Sequence, residues 1–101
     1  MDEERKRALK QQVRDQERRA FLNAMPMTLA QATALIEVLD TRLSSESCDH
    51  THRLTSEWCN QQRLDPTIVV GWAREHGGYC DCEVAANIAQ PIEDAGKLQP
   101  Q

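Results

Sequence analysis

Most of the residues able to build a core fall in one short window, from Met27 to Ile88. About 60 residues bury too little apolar surface for a comfortable margin of stability on that contribution alone. The chain has only four aromatic residues among its 101, Phe21, Trp58, Trp72 and Tyr79, and aromatic side chains bury the largest area each. A length near 100 fits one domain and leaves little room for two. Extra stabilisation is therefore to be sought inside the window, where Cys48, Cys59, Cys80 and Cys82 all lie.

The chain around these cysteines reads as helical, which predicts an all-α fold, a small bundle of four or five helices. Residues 2–22 are rich in Glu, Lys, Arg and Gln, all good helix formers. Leu9, Val13 and Ala20 leave a thin apolar seam with Gln16 in its gap. That pattern predicts a solvated helix touching the body at Ala20, Phe21 and Leu22, with a weak coiled-coil contact to a partner as the alternative. Met25-Pro26-Met27 breaks it. Thr28 opens the next helix with Gln31 in capping-box position, and Leu29, Ala32, Ile36, Leu39 and Leu43 give it a core-facing stripe. A third helix is expected from about Thr51 to Gln62, burying Leu54 and Trp58, with Asp49 as its N-cap. Asp65-Pro66 opens a fourth, with Ile68, Val69, Trp72 and Ala73 on its apolar face. Gly77-Gly78 closes it, since glycine accepts the left-handed conformation past a helix end. A short helix is expected from Glu83 to Ile88 and a frayed tail beyond Pro91. In domain terms this is a polar helix over residues 1–24, a metal-stabilised helical domain over 25–90 and a flexible tail over 91–101.

Charge and hydropathy exclude several classes. No apolar run approaches the roughly 20 residues that span a bilayer, so no membrane association is expected. Met-Asp-Glu-Glu-Arg-Lys-Arg lacks the apolar stretch of a signal peptide, which predicts a cytoplasmic chain with reduced thiols. The net charge is −4 and uneven. Seven basic against five acidic residues give the first 24 positions +2, and five against eleven give the remainder −6. An acidic body matches nucleic acid poorly.

Two units then stand out, Cys48-Asp49-His50 and Cys80-Asp81-Cys82. Each falls where a helix meets a turn. A structural zinc ion takes four N or S ligands in a tetrahedron, and Cys48, His50, Cys80 and Cys82 supply a Cys3His set forming a zinc knuckle. Gly77 and Gly78 allow the backbone the tight approach such a knuckle needs. Gaps of one residue are less common in zinc sites than gaps of two to four, so spacing alone leaves the metal open. Three thiolates and an imidazole around Zn²⁺ carry one net negative charge. Asp49, Asp81 and Glu83 therefore should not all face the ion; they read as solvated turn and cap residues, or one of them orients His50. Cys59 beside Trp58 reads as core, His52 as an exposed helix residue or substitute ligand, and His76 as a cation favouring the fourth helix's C-terminus.

With Cys48-Asp49-His50-Thr51, Trp58, Trp72 and Gly77-Gly78-Tyr79-Cys80-Asp81-Cys82-Glu83-Val84-Ala85-Ala86-Asn87, the chain resembles the small bacterial proteins grouped as domain of unknown function 2695. The resemblance covers residues 27–88, and the string from Gly77 to Val84 is its most specific part. It implies that Cys48, His50, Cys80 and Cys82 match the family pattern residue by residue. It also implies that Cys59 and His52 do not, because that pattern has an aliphatic residue at the first and no corresponding histidine at the second. It implies a cytosolic bacterial protein and points to no particular activity, because the family's role is unassigned.

Three functional readings compete. Four ligands filling a tetrahedron favour a structural-zinc interaction module without catalysis, acting on a protein partner. Cys80 or Cys82 near His50 would alternatively make a thiol-based redox sensor or a small Cys-dependent enzyme, although flanking acids raise a thiol's pKa. A nucleic-acid-binding zinc protein would rely on Arg5, Lys6, Arg7, Lys10, Arg14, Arg18 and Arg19, which acids interrupt and no stacking aromatics accompany. A catalytic zinc is a variant of the first reading in which three ligands bind and Glu83 serves as general base.

Overall fold

The computed structural model describes residues 2–97, all of whose regular elements are helices. In chain order these are α1 (Asp2–Ala24), α2 (Leu29–Leu43), α3 (Arg53–Gln61), α4 (Pro66–Glu75), α5 (Asp81–Asn87) and α6 (Ala89–Gly96). The all-α expectation is borne out.

Local chemistry sets several of the boundaries. Asp2, Glu3 and Glu4 occupy the first turn of α1, where negative charge complements the helix dipole. Thr28 and Gln31 form the expected capping box on α2: Gln31 N–H donates to Thr28 Oγ1 at 3.0 Å, and Thr28 N–H donates to Gln31 Oε1 at 3.0 Å. Asp65 caps α4 by accepting from Thr67 N–H at 2.9 Å, with Pro66 as the first helical residue. Gly77 turns the chain out of α4 at φ 86°. Gly78 is required by space: a Cβ there would stand 2.8 Å from Val84 Cγ2 and 3.1 Å from the Ala73 carbonyl oxygen.

The core is one cluster centred on Leu35 and Leu39 of α2, Leu54 and Trp58 of α3, Val69 and Trp72 of α4, and Val84, Ile88 and Ile92. Full burial of such side chains is worth about 1.5–3 kcal/mol each. Helix α2 packs on α3, α5 and α6, and α3 packs on α4 and α5. Cys59 is fully buried, as expected of a small hydrophobe, and burial pushes its thiol up to about 11, with Asp65 adding to the shift. Leu35 joins the core between the expected stripe positions, and Ile68 of α4 points to solvent.

Two expectations are corrected. The stretch beyond Pro91 is not a frayed tail as far as Lys97: it carries most of α6, whose Ile92 and Ala95 are buried. Pro91 sits in the first turn, where a missing N–H costs nothing. Ile88, Ile92 and Ala95 then repeat at i, i+4 and i+7 and seat the helix against α1, α2 and α5. Residues 98–101 lie outside the described part. The second correction concerns Asp49, which does not cap α3. That helix starts at Arg53, and its N-cap position, His52, makes no side-chain cap bond.

The outermost element is α1. It buries none of its residues, touches the body near Phe21, whose ring lies 5.7 Å from Trp72 and 5.0 Å from His76, and packs against α6. The described chain measures 53 × 24 × 20 Å as a result.

Candidate metal centre

The first of the two Cys/His units lies in the loop between α2 and α3, and the second at the start of α5. A network of ion pairs holds the loop on its outer side. Arg42 of α2 pairs with Glu46 at 2.8 Å and Glu57 at 2.6 Å, while Arg53 reaches Glu46 and Asp49 at 3.5 Å each. The Arg42 hydrogen bond holds the Glu46 carboxyl below the usual carboxylate range. Asp49 accepts from the Thr51 hydroxyl at 2.5 Å and from Thr51 N–H at 3.1 Å, closing a turn, and these bonds lower its carboxyl as well. The next residue, His50, has φ 66°, a left-handed conformation that costs a non-glycine residue of the order of 1 kcal/mol. That turn brings His50 N–H over Cys48 Sγ at 3.4 Å.

The second unit is delivered by the Gly77-Gly78 turn, which is held from two sides. His52 Nε2 donates to the Gly78 carbonyl at 2.8 Å, a bond that fixes its proton on Nε2 because a carbonyl only accepts. Asn87 Nδ2 donates to the Gly77 carbonyl at 2.9 Å. His52 is thus half-buried and structural, not an exposed helix residue. Cys80 is the N-cap residue of α5 and is buried; Cys82, one residue past Asp81, is exposed.

Together the two turns bring Cys48 Sγ, a ring nitrogen of His50 and Cys80 Sγ within 4.8 Å of one another. Cys82 lies outside that mutual set, but its Sγ is 3.2 Å from Cys80 Sγ. Cys82 N–H, and after it His50 N–H, donate to Cys48 Sγ and hold that thiol below its ordinary value. Hydrogen bonding to Cys80 and Cys48 pushes the Cys82 thiol up to about 12. Backbone N–H groups thus favour the charged form of one sulfur, while hydrogen bonding among the sulfurs favours the protonated form of its neighbour. A thiophilic cation displaces such protons when it binds.

Asp81 is the residue whose role the sequence conceals. It is 1% exposed, and its carboxylate accepts from Leu54 N–H at 2.9 Å, Thr55 N–H at 3.0 Å and Thr55 Oγ1 at 2.7 Å. It caps α3, a helix that begins 28 residues earlier in the chain, and its own N–H donates to the Thr51 carbonyl at 2.9 Å. It is a cap, as expected, but a buried one acting across the fold. Nothing local in the sequence signals this role, because Asp49 and Thr51 stand nearer to the start of α3. Asp49 and Asp81 both spend their carboxylates on partners other than the sulfurs.

The sequence profile of the family described as "Protein of unknown function (DUF2695)" matches residues 35–87. The chain belongs to that family. The match runs from Leu35 in the core through both Cys/His units to the end of α5. Among curated proteins, this DUF2695 member is similar to uncharacterized protein Mb2294 of Mycobacterium bovis and to uncharacterized protein Rv2271 of Mycobacterium tuberculosis. Each is 32% identical over 87 residues, covering 86% of this chain and 88% of the relative. No solved structure matches it. Among its described residues no helix is long and apolar enough to cross a membrane.

Proposed function

We propose that this DUF2695 protein is a cytoplasmic interaction module stabilised by one structural zinc ion, with Cys48, His50, Cys80 and Cys82 as ligands and no catalytic step. The observation that carries the reading is the convergence of three N and S ligand atoms within 4.8 Å from two turns with 29 residues between them in the chain. Cys82, 3.2 Å from Cys80, is the fourth donor and fills the position that a catalytic zinc would keep open. The donor set suits Zn²⁺: soft thiolates and an imidazole, with backbone N–H groups on Cys48 Sγ that tune the ligand from outside. Structural zinc in comparable small sites contributes about 10 kcal/mol or more at neutral pH, enough to offset the small core. Reduced thiols and a bound metal fit a reducing compartment. Tyr79, 62% exposed next to Cys80, gives the site an aromatic contact for a protein partner.

Elemental analysis of protein purified under reducing, oxygen-free conditions tests this. One zinc per chain is expected, with Cys48→Ser and Cys80→Ser losing the metal and Cys59→Ser keeping it. A chelator should then reduce the helical circular dichroism. Metal-free protein with unchanged helicity overturns the reading. The 3.2 Å approach of Cys80 and Cys82 favours a second reading, a dithiol that an oxidant converts to a disulfide with loss of two protons and two electrons. A peroxide-treated sample lighter by two hydrogens, from protein that never held metal, would decide for it.

A further inference from the structure

A groove of about 830 Å³ runs beside α1, walled on one side by Ala20, Phe21 and Ala24 and on the other by His76, Pro91 and Asp94. The amino-terminal half of α1 extends past this groove without a partner, exposing Leu9 (56%) and Val13 (51%). At 100° per residue, Leu9, Val13, Ala20 and Ala24 lie within about 60° of one another on the helix circumference. They form one stripe with its large residues at the free end and its small ones at the groove. Leu9 and Val13 are four residues apart, and so are Ala20 and Ala24. Two such helices laid antiparallel therefore match in register, with Leu9 opposite Ala24 and Val13 opposite Ala20, each large side chain against a small one. The gap in the stripe then sets Gln16 of one copy against Glu17 of the other, a pair able to hydrogen-bond.

Charge agrees with this occupant. The half of α1 that would enter the groove carries Arg5, Lys6, Arg7 and Lys10 after Asp2, Glu3 and Glu4, while the body wall offers Glu75 and Asp94 and the α1 wall Glu17 beside Arg14 and Arg18. We infer that the groove beside α1 receives the amino-terminal half of α1 from a second copy of this chain, reciprocally, making an antiparallel homodimer. The seam is too short and interrupted for a self-sufficient coiled coil; the groove supplies the additional surface. The metal reading is not needed for this arrangement, which leaves both Cys/His units outside the contact.

Sedimentation velocity on the full chain over a concentration series tests it. A monomer–dimer equilibrium is expected that weakens with salt, because the Lys and Arg contacts with Glu75 and Asp94 are screened. A Leu9→Glu/Val13→Glu variant and an Ala24→Arg variant should each raise the dimer dissociation constant about tenfold or more. Both should keep wild-type helical circular dichroism, since the altered side chains are exposed. Mixing the two variants should restore the dimer, because antiparallel pairing sets the new carboxylates against the new guanidinium. Three results overturn the inference: a wild-type chain that stays monomeric throughout, a dimer that survives both sets of substitutions, or variants whose mixture remains monomeric.

Discussion

Cys48-Asp49-His50 and Cys80-Asp81-Cys82 are chemically near-identical triplets, and the fold uses their middle residues in opposite ways. Asp49 is half exposed and spends its carboxylate on its own turn and on Arg53, four residues away. Asp81 is buried and holds the first turn of α3 from the start of α5. The difference teaches that a carboxylate's energetic weight follows from what replaces it when it is lost. Water can take over every bond that Asp49 makes. Nothing can do so for Leu54 N–H and Thr55, which are inside the protein.

The largest expected effect therefore belongs to Asp81→Ala. It strands two buried N–H donors and a buried hydroxyl, where each unsatisfied group costs about 1–3 kcal/mol. Partial relaxation brings the expected loss to about 3 kcal/mol, a fall in melting temperature of the order of 10 °C or more for a domain of this size. Asp81→Asn keeps an acceptor oxygen and should recover part of that loss. Zinc affinity, read by competition with a chromophoric chelator, should fall in Asp81→Ala although no proposed ligand is touched, because the first turn of α3, which follows the first triplet, loses its side-chain tie to the residue between Cys80 and Cys82. If Asp81→Ala melts beside wild type, the contrast between the two triplets is broken.

Next in size is Gly78→Ala, which asks whether the turn feeding the second triplet is as tightly set as Asp81 requires. The new Cβ would stand 2.8 Å from Val84 Cγ2, 3.0 Å from Ile88 Cδ1 and 3.1 Å from the Ala73 oxygen. Overpacking of that kind costs about 2 kcal/mol. Gly71→Ala is the control with the opposite sign. It lies in the interior of α4 with nothing within 4 Å of its Cβ position, so the gain in helix propensity should stabilise the protein by about 0.5–1 kcal/mol. Thermal melts of the two variants should move to opposite sides of wild type.

The residues that the sequence made legible are those whose partners are close along the chain. Thr28 with Gln31, Asp65 with Pro66, and the Gly77-Gly78 exit from α4 are local chemistry, and each sits where the spacing puts it. The convergence of Cys48, His50 and Cys80 was also readable, because metal ligands recur in short paired units at turns. The roles that escaped are set by partners far off in sequence. Asp81 meets Leu54 and Thr55 across 27 and 26 positions, His52 meets Gly78 across 26, and α6 forms because α1, α2 and α5 cover Ile92 and Ala95. Pro91 also misled through its residue type: a helix breaker in the interior is neutral in a first turn. Asp49 is the nearest carboxylate before α3, yet the fold brings in Asp81 as the cap.

Acid provides a smaller and more selective test. Glu46, beside the first triplet, and Asp49, within it, have carboxyls held below the ordinary range by Arg42 and by Thr51 respectively. A folded-state pKa below the unfolded one contributes stability that is present above the unfolded value and lost as pH falls through the folded value. The corner formed by Glu46, Asp49 and Arg53 should therefore loosen only below the ordinary carboxylate range. Amide shifts of Thr51 and Arg53, followed by NMR in metal-free protein, should titrate there. Metal loss should come at higher pH, because protons compete directly for the imidazole and thiolates. Coincident transitions would mean that the ion pairs and the ligands form one unit.

The smallest effect, and the one that bears most directly on the comparison, is expected from Asp49→Ala. Thr51 loses the acceptor of its N–H and hydroxyl, but Thr51 is exposed and solvent replaces both bonds. Arg53 retains Glu46 at 3.5 Å and Glu57 at 4.0 Å, and exposed pairs of this kind contribute little in any case. Leu54 N–H and Thr55 N–H in the first turn of α3 keep their bonds to Asp81, and only Arg53 N–H, which donates to Thr51 Oγ1 at 3.2 Å, is linked to the Asp49 turn. The shift in melting temperature should accordingly be a small fraction of that of Asp81→Ala. What Asp49→Ala should change is the turn that holds His50 at φ 66°: without the Thr51 bonds this conformation loses part of its support and the imidazole its fixed position. Zinc dissociation, measured by transfer to excess chelator, should then be faster than wild type while the melt of the metal-free protein scarcely moves. An Asp49→Ala variant that melts as low as Asp81→Ala would place the hold on α3 in the exposed turn and not in the buried carboxylate.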